Sequence, residues 1–210
     1  MQPDAAGPEG ALTGAALHAA KRALRATMIA ARDALDPAVR ASASRSISER
    51  LQNLPSFAAA RVVLVTFPFG SEWDTRPLAQ TVLSSGKTLA VPRVNNVTRM
   101  LELHAINDID HQITAGFRGI PEPLSKLPRI EATKVDWVLV PGVAFSADGR
   151  RLGYGGGFYD RLMATLAPAT ACIAGAFDAQ IAAHIPAAAH DLYVDRIITE
   201  SRTLPTVTKE

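Results

Sequence analysis

The sequence predicts an α/β protein, a mostly parallel sheet flanked by helices, and three observations carry that expectation. Arg61-Val62-Val63-Leu64-Val65-Thr66-Phe67 is a continuous, β-branched apolar run of the kind buried on both faces of a parallel sheet. Strand and helix signals then alternate twice, over 61–92 and again over 135–177, as βαβ units require. With 210 residues, 48% of them hydrophobic and only 6% aromatic, the chain is near the upper end of what a single core supports, so one domain is the default.

The elements follow in order. Over Leu12 to Leu35, Leu17, Leu24, Met28 and Ala31 recur at helical spacing while Lys21, Arg22, Arg25 and Arg32 occupy other angles, giving an amphipathic helix with a basic face. Asp36-Pro37 supplies an N-cap and a first-turn proline for a second helix ending near Pro55. After the strand at 61–67 come a turn, Pro68 to Glu72, a helix opened by Asp74 or Thr75 and closed by Gly86, and a strand from Thr88 to Pro92. Met100 to Ile106 reads as a strand and Gly116 to Pro128 as a long ordered loop. The remaining signals are a strand at Val135 to Val140, a glycine-dense loop, a helix from Phe158 to about Leu166, and strands at Ala171 to Phe177 and Tyr193 to Thr199. Residues 1–16 are expected to be a disordered lead-in, 17–200 the single domain, and 201–210 a loose tail.

Composition narrows function. Twenty-two Lys and Arg against 20 Asp and Glu give a formal charge of +2, too small and too evenly spread for a nucleic-acid-binding surface. No stretch reaches the roughly 18 uninterrupted apolar residues of a membrane span. The one cysteine, Cys172, lies in an apolar run, cannot form an internal disulfide and fits a reducing compartment such as the cytoplasm.

The segment from Pro141 to Arg161 carries the most chemistry. Five glycines, at 149, 153, 155, 156 and 157, fall within nine positions between a buried strand and a helix. Backbone N–H groups there can converge on an anion, and Arg151 and Arg161 favour a phosphate; the alternative is a flexible turn, since glycine also marks positive-φ positions. The spacing matches neither a Walker loop nor a dinucleotide fingerprint. Asp160 in the first helical turn either serves the helix dipole or holds Mg²⁺. Asp195 is a second candidate carboxylate or a strand-end charge paired with Arg196. Lys21 and Arg25, four apart, share a helix face beside Arg22, as anion ligands or as solvated charge. Glu72 sits among Phe67, Phe69 and Trp73, where open α/β sheets present ligand loops; it suits a flat, nitrogen-rich ring, or caps the next helix. His18, His104, His111, His184 and His190 show no metal-ligand spacing.

Lys21-Arg22-Ala23-Leu24-Arg25, Glu72, Gly119-Ile120-Pro121-Glu122-Pro123 and Pro141 through Arg161 together resemble the 5-formyltetrahydrofolate cyclo-ligase family, from about Lys21 to Thr199 in the same order and spacing. The resemblance implies a three-layer α/β/α fold related to the sugar-phosphate isomerase and CoA-transferase group. It also implies an ATP- and Mg²⁺-dependent conversion of 5-formyltetrahydrofolate, polyglutamylated or not, into 5,10-methenyltetrahydrofolate by a monomer. Carried over residue by residue, nucleotide contacts fall on Lys21, Arg22, Arg25, Arg151, Leu152, Gly153, Tyr154, Gly155, Gly156, Gly157, Phe158 and Tyr159. Folate contacts fall on Phe67, Glu72 and Tyr154 to Phe158, metal contacts on Asp160 and Asp195, and the catalytic cations are Arg151 and Lys21. On this reading Arg151 is a loop side chain without core contacts, so that Arg151→Ala leaves the fold intact. A silent ATP- or folate-binding relative would have lost Arg151, Asp160 or Lys21; an isomerase or CoA-transferase would use Glu72 alone and consume no ATP.

Overall fold

The computed structural model describes residues 14–186 and 191–205. Two long helices come first, α1 (Gly14–Asp33) and α2 (Pro37–Gln52). The Asp36 carboxylate caps α2, accepting from Ala38 N at 2.8 Å and Val39 N at 3.3 Å, with Pro37 at the first helical position. Pro55 ends α2's reach by opening a further short helix, α3 (Pro55–Ala59), which sends Phe57 into the core. Strand β1 (Val62–Leu64), helix α4 (Arg76–Ser84) and strand β2 (Thr88–Asn95) form the first βαβ unit. Strand β3 (Met100–Ile106) folds back on β2 across a turn in which Asn95 Oδ1 accepts from Val97 N and Thr98 N and Arg99 has φ +56°.

The segment expected to be one long loop is more ordered than that. Strand β4 (Ile113–Ala115) pairs with β5 (Pro121–Pro123), and β6 (Arg129–Ile130) adds to β3. Strand β7 (Trp137–Leu139) leads to the hairpin of β8 (Ala144–Phe145) and β9 (Arg151–Leu152), then to helix α5 (Phe158–Met163), shorter than the sequence signal. Strands β10 (Ala171–Gly175), β11 (Arg196–Ile198) and β12 (Thr203–Pro205) complete the main sheet, ordered β12-β11-β10-β7-β1-β2-β3-β6. The five strands from β11 to β2 run parallel; β12 and β3 run against them, and β6 pairs antiparallel to β3.

Two terminal expectations need correcting. Gly14 to Ala16 already belong to α1 rather than to a disordered lead-in, and residues 1–13 lie outside the described residues. Thr203–Pro205 is an edge strand rather than part of a loose tail, because Ile197 and its neighbours offer a free ladder edge to pair with; 206–210 and His190 lie outside the described residues.

Each sheet face has its own core, which explains why β1 and β7 read as unbroken apolar runs. One side packs Ile47, Leu51, Phe57, Leu78 and Val82 of α2, α3 and α4 onto Val63, Leu89, Trp137 and Ile173. The other packs Leu162 of α5 and Phe145 of β8 onto Leu64, Val138, Cys172 and Ile197. β1 leaves through α4 toward β2, while its neighbour β7 leaves through α5 toward β10, on the opposite side. The carboxyl ends of β1 and β7 therefore open a crevice at the point where strand order reverses, the usual ligand position in such sheets.

Candidate active site

One wall of the crevice is the glycine loop. Gly149, Gly155 and Gly157 have φ of +86°, +93° and +65°, conformations that side chains other than glycine adopt at a cost. At Gly153 the requirement is close approach: a Cβ there would lie 2.8 Å from the Arg151 guanidinium. Arg151 is not the contact-free loop residue expected from sequence. Its side chain is 5% exposed, donates through Nη1 to Pro141 O at 3.1 Å and ion-pairs through Nη2 with Asp160 Oδ1, so it ties the start of the segment to its end. Arg161 is likewise structural, donating to Arg99 O at 2.8 Å and Gly156 O at 3.0 Å while lying over the Phe158 ring. Leu152 and Tyr159 turn inward, Leu152 into the cluster of Ala144, Ala182 and Ile185 and Tyr159 against the sheet face that carries Leu162 and Phe145. α5 has six residues, which leaves loop amides and cations, rather than a long helix dipole, to meet an anion.

Helix α1 supplies the cations. Arg25 donates from Nε to Gly153 O at 2.7 Å, and its guanidinium reaches within 3.5 Å of where a Gly155 Cβ would lie. Partial burial and the neighbouring Arg22 both lower its proton affinity, an electrostatic deficit that an anion relieves, and Asp191 opposes them. Arg22 itself is exposed. The structure does not aim Lys21 at the loop: its ammonium pairs with Asp191 at 2.5 Å, one turn from Arg25.

Across from the loop lies the turn after β1, which Tyr154 of the loop reaches. Glu72 Oε2 accepts from Phe69 N at 2.9 Å and Oε1 from the Tyr154 hydroxyl at 2.6 Å. Burial raises the Glu72 carboxyl above its ordinary range, only partly offset by those bonds and by Arg32. Tyr154 is held protonated by its own burial and by the Glu72 charge. Tyr154 nevertheless remains 46% exposed and, with Phe69 at 41%, offers flat apolar surface in the crevice. Phe67, expected here, is instead 1% exposed in the core under α2, α3 and α4, because the backbone beyond Leu64 still follows the sheet, with Val65 N on Ala90 O, and Phe67 falls on the same side as Val63.

The two metal candidates are not brought together. Asp160 Oδ1 faces Arg151, whose other arm reaches Pro141 beyond the end of β7. Asp195 Oδ2 accepts from Cys172 N at 2.7 Å, level with Val138, about 10 Å back along the strands. Among the described residues no group of three or more His, Cys, Asp and Glu is placed to hold a metal. A nucleotide-borne Mg²⁺ needs only one or two carboxylates beside phosphates and water, and the partly exposed Asp160 fits that share alone.

Sequence reasoning missed Arg32 and undervalued Phe69. Arg32 is buried and donates from Nε to Ser71 Oγ at 2.9 Å and from Nη1 to Tyr154 Oη at 3.1 Å, 3.9 Å from Glu72 Oε1. The signal was present: Arg32 is seven residues from Arg25, two turns along the same face.

Fold and crevice define the class: an α/β protein whose ligand site, at the carboxyl ends of a parallel sheet, sets a cation-edged glycine loop against a buried acid and exposed rings. The sequence profile of the 5-formyltetrahydrofolate cyclo-ligase family matches residues 17–200, and the chain belongs to that family. It is 30% identical over 185 residues to the 5-formyltetrahydrofolate cyclo-ligase of Mycolicibacterium smegmatis, covering 87% of this chain and 94% of the relative. The Escherichia coli K12 cyclo-ligase is 27% identical over 173 residues, 81% of this chain and 95% of the relative. The structure of Aquifex aeolicus 5,10-methenyltetrahydrofolate synthetase superposes with a TM-score of 0.79 at 30% identity, over 90% of this chain and 94% of that one. A Mycoplasma pneumoniae 5,10-methenyltetrahydrofolate synthetase shares the fold, with a TM-score of 0.70 at 21% identity over 86% and 98% of the two chains.

Proposed function

We propose that the protein converts 5-formyltetrahydrofolate to 5,10-methenyltetrahydrofolate at the expense of ATP, releasing ADP and phosphate. The observation that carries this reading is the meeting of two unlike surfaces: Arg25 and Arg151 behind a glycine loop on one side and Glu72 with the exposed Phe69 ring on the other, joined by the exposed Tyr154 of the loop. The first suits a polyphosphate and the second a pterin, whose N–H groups find lone pairs on Glu72.

The formyl oxygen attacks the γ-phosphorus as the bond to the β-phosphate oxygen breaks. The N10 lone pair then closes on the formyl carbon, the N10 proton passes to the departing phosphate, and the C–O bond breaks. No protein nucleophile is needed, so the chain contributes positioning and charge neutralisation. Arg25 and the loop amides hold the phosphates, and Lys21 joins them by leaving Asp191. Arg151 fixes the loop and orients Asp160, which would hold Mg²⁺; the ion would neutralise phosphate charge.

Arg99 and Arg118, both exposed, lie at 5.8 Å over Phe158 and 5.2 Å over Phe117, and these rings meet edge to face. That pair of cations beside the crevice supports a substrate with a polyglutamate tail. A single buried cysteine supports the cytoplasm. The test is the absorbance of methenyltetrahydrofolate on mixing protein, 5-formyltetrahydrofolate and Mg²⁺ with and without ATP. An ATP-dependent rise is expected; folate binding without any rise would make the protein a silent relative.

A further inference from the structure

We propose that Arg32 is the positioning residue of the crevice, a buried guanidinium that fixes the Tyr154 hydroxyl and the Glu72 carboxylate in the one arrangement that receives the folate ring. The inference rests on the reading of Glu72 and Tyr154 as the folate wall.

Arg32 is 3% exposed, and a charge so placed costs stability unless its donors are met. The partners of its Nε and Nη1 are all groups of the crevice. Nε donates to Ser71 Oγ at 2.9 Å and Nη1 to Tyr154 Oη at 3.1 Å, with Glu72 Oε1 at 3.9 Å. Packing alone gives no reason for a guanidinium here, since Leu24 and Met28 do the packing of the same helix. The bonds also have a direction. Ser71 donates its O–H to Asp33 Oδ1, so its lone pair is left for Arg32. Tyr154 Oη accepts from Arg32 and donates its O–H to Glu72 at 2.6 Å. Proton positions from helix to acid are thereby set before substrate arrives. A lysine cannot reproduce two bonds from a planar fork to partners on different loops.

Arg32 also completes a clamp. Arg25 holds Gly153 through its carbonyl and Arg32 holds Tyr154 through its hydroxyl, so α1 grips two consecutive residues of the glycine loop from positions two turns apart. One helix thus sets the loop against both phosphate and folate.

The charged and titratable groups facing Glu72 are Arg32 and Asp33 from α1, Tyr154 from the loop and Tyr159 from α5. Of these only Arg32 is cationic, so its removal raises the proton affinity of Glu72 further.

The experiment compares the wild type with Arg32→Lys, Arg32→Met and Tyr154→Phe by calorimetric binding of 5-formyltetrahydrofolate, KM for each substrate, thermal midpoint, and the pH profile of kcat/KM for folate. Arg32→Lys is expected to fold, to weaken folate binding about ten-fold or more, and to leave the KM for ATP within about two-fold. Arg32→Met is expected to move the acid limb of the profile to higher pH, and Arg32→Lys, which keeps the charge, to move it less. Should Arg32→Met not fold, Tyr154→Phe and Arg32→Lys carry the comparison. Wild-type folate affinity in Arg32→Lys overturns the proposal, as does equal weakening of both substrates in step with a lowered thermal midpoint. A wild-type protein that binds no folate overturns instead the functional reading on which the proposal stands.

Discussion

Two buried arginines hold the glycine loop, and they do so over very different distances along the chain. Arg151 bonds Pro141 and Asp160, ten and nine residues away, closing the loop on itself. Arg32 bonds Ser71 and Tyr154, 39 and 122 residues away, joining three segments that meet only in the folded protein. The local tie gives the loop its shape; the distant one gives it an address opposite Glu72. Shape and address are therefore separable, and substitutions at the two ends should fail differently.

The largest expected effect is at the local tie. Arg151→Met strands the Pro141 carbonyl and Asp160, and should lower stability by about 2–3 kcal/mol, less than a fully buried pair because Asp160 is partly exposed, and abolish turnover. Denaturant titration with an activity assay checks this; lost turnover with unchanged stability would restore Arg151 to a purely catalytic role. Next is Glu72→Gln, expected to raise the KM for folate by about 10–100-fold while sparing ATP, as loss of a charge-assisted acceptor should.

The same substitution has a pH signature. Burial raises the carboxyl in the folded state, so the folded protein binds that proton more tightly than the unfolded chain. Wild-type stability relative to Glu72→Gln is then full below the unfolded pKa and falls as pH rises through the folded one. A wild-type advantage that grew with pH in thermal melts would contradict this.

Smaller effects sharpen the comparison. Asp191→Asn frees Lys21 and should lower the KM for ATP by about two- to five-fold, most visibly at low salt; a raised KM would mean that Asp191 orders Lys21 for phosphate. Asp195→Asn should weaken the bond to Cys172 N, costing about 1 kcal/mol, and leave the Mg²⁺ titration unchanged. Asp160→Asn should shift that titration, and no shift would return Asp160 to holding Arg151.

The parts legible in the sequence are those encoded by neighbours. The apolar runs at Val62 and Val135, the Asp36-Pro37 cap and the glycines around Gly155 each announce a local conformation, and each lies where it was expected. The errors have a common cause. Phe67 looked like a ligand residue because its neighbours are aromatic, but strand alternation turned it inward. Asp195 looked like a metal ligand because it is acidic, but its strand end lies away from Asp160. Arg151 looked exposed because glycines surround it, yet the absence of side chains is what lets its guanidinium lie against Gly153.

By itself the sequence determined the α/β architecture, the glycine loop and the family, since periodicity, caps and motif spacing depend on residues close along the chain. Only the tertiary structure decided that Arg32, a residue of an amphipathic helix like its neighbours, lies buried against Tyr154 and Glu72. The physical reason is that a buried charge is placed by partners converging from distant segments, and that convergence exists only once the sheet has brought the ends of β1 and β7 together beneath α1.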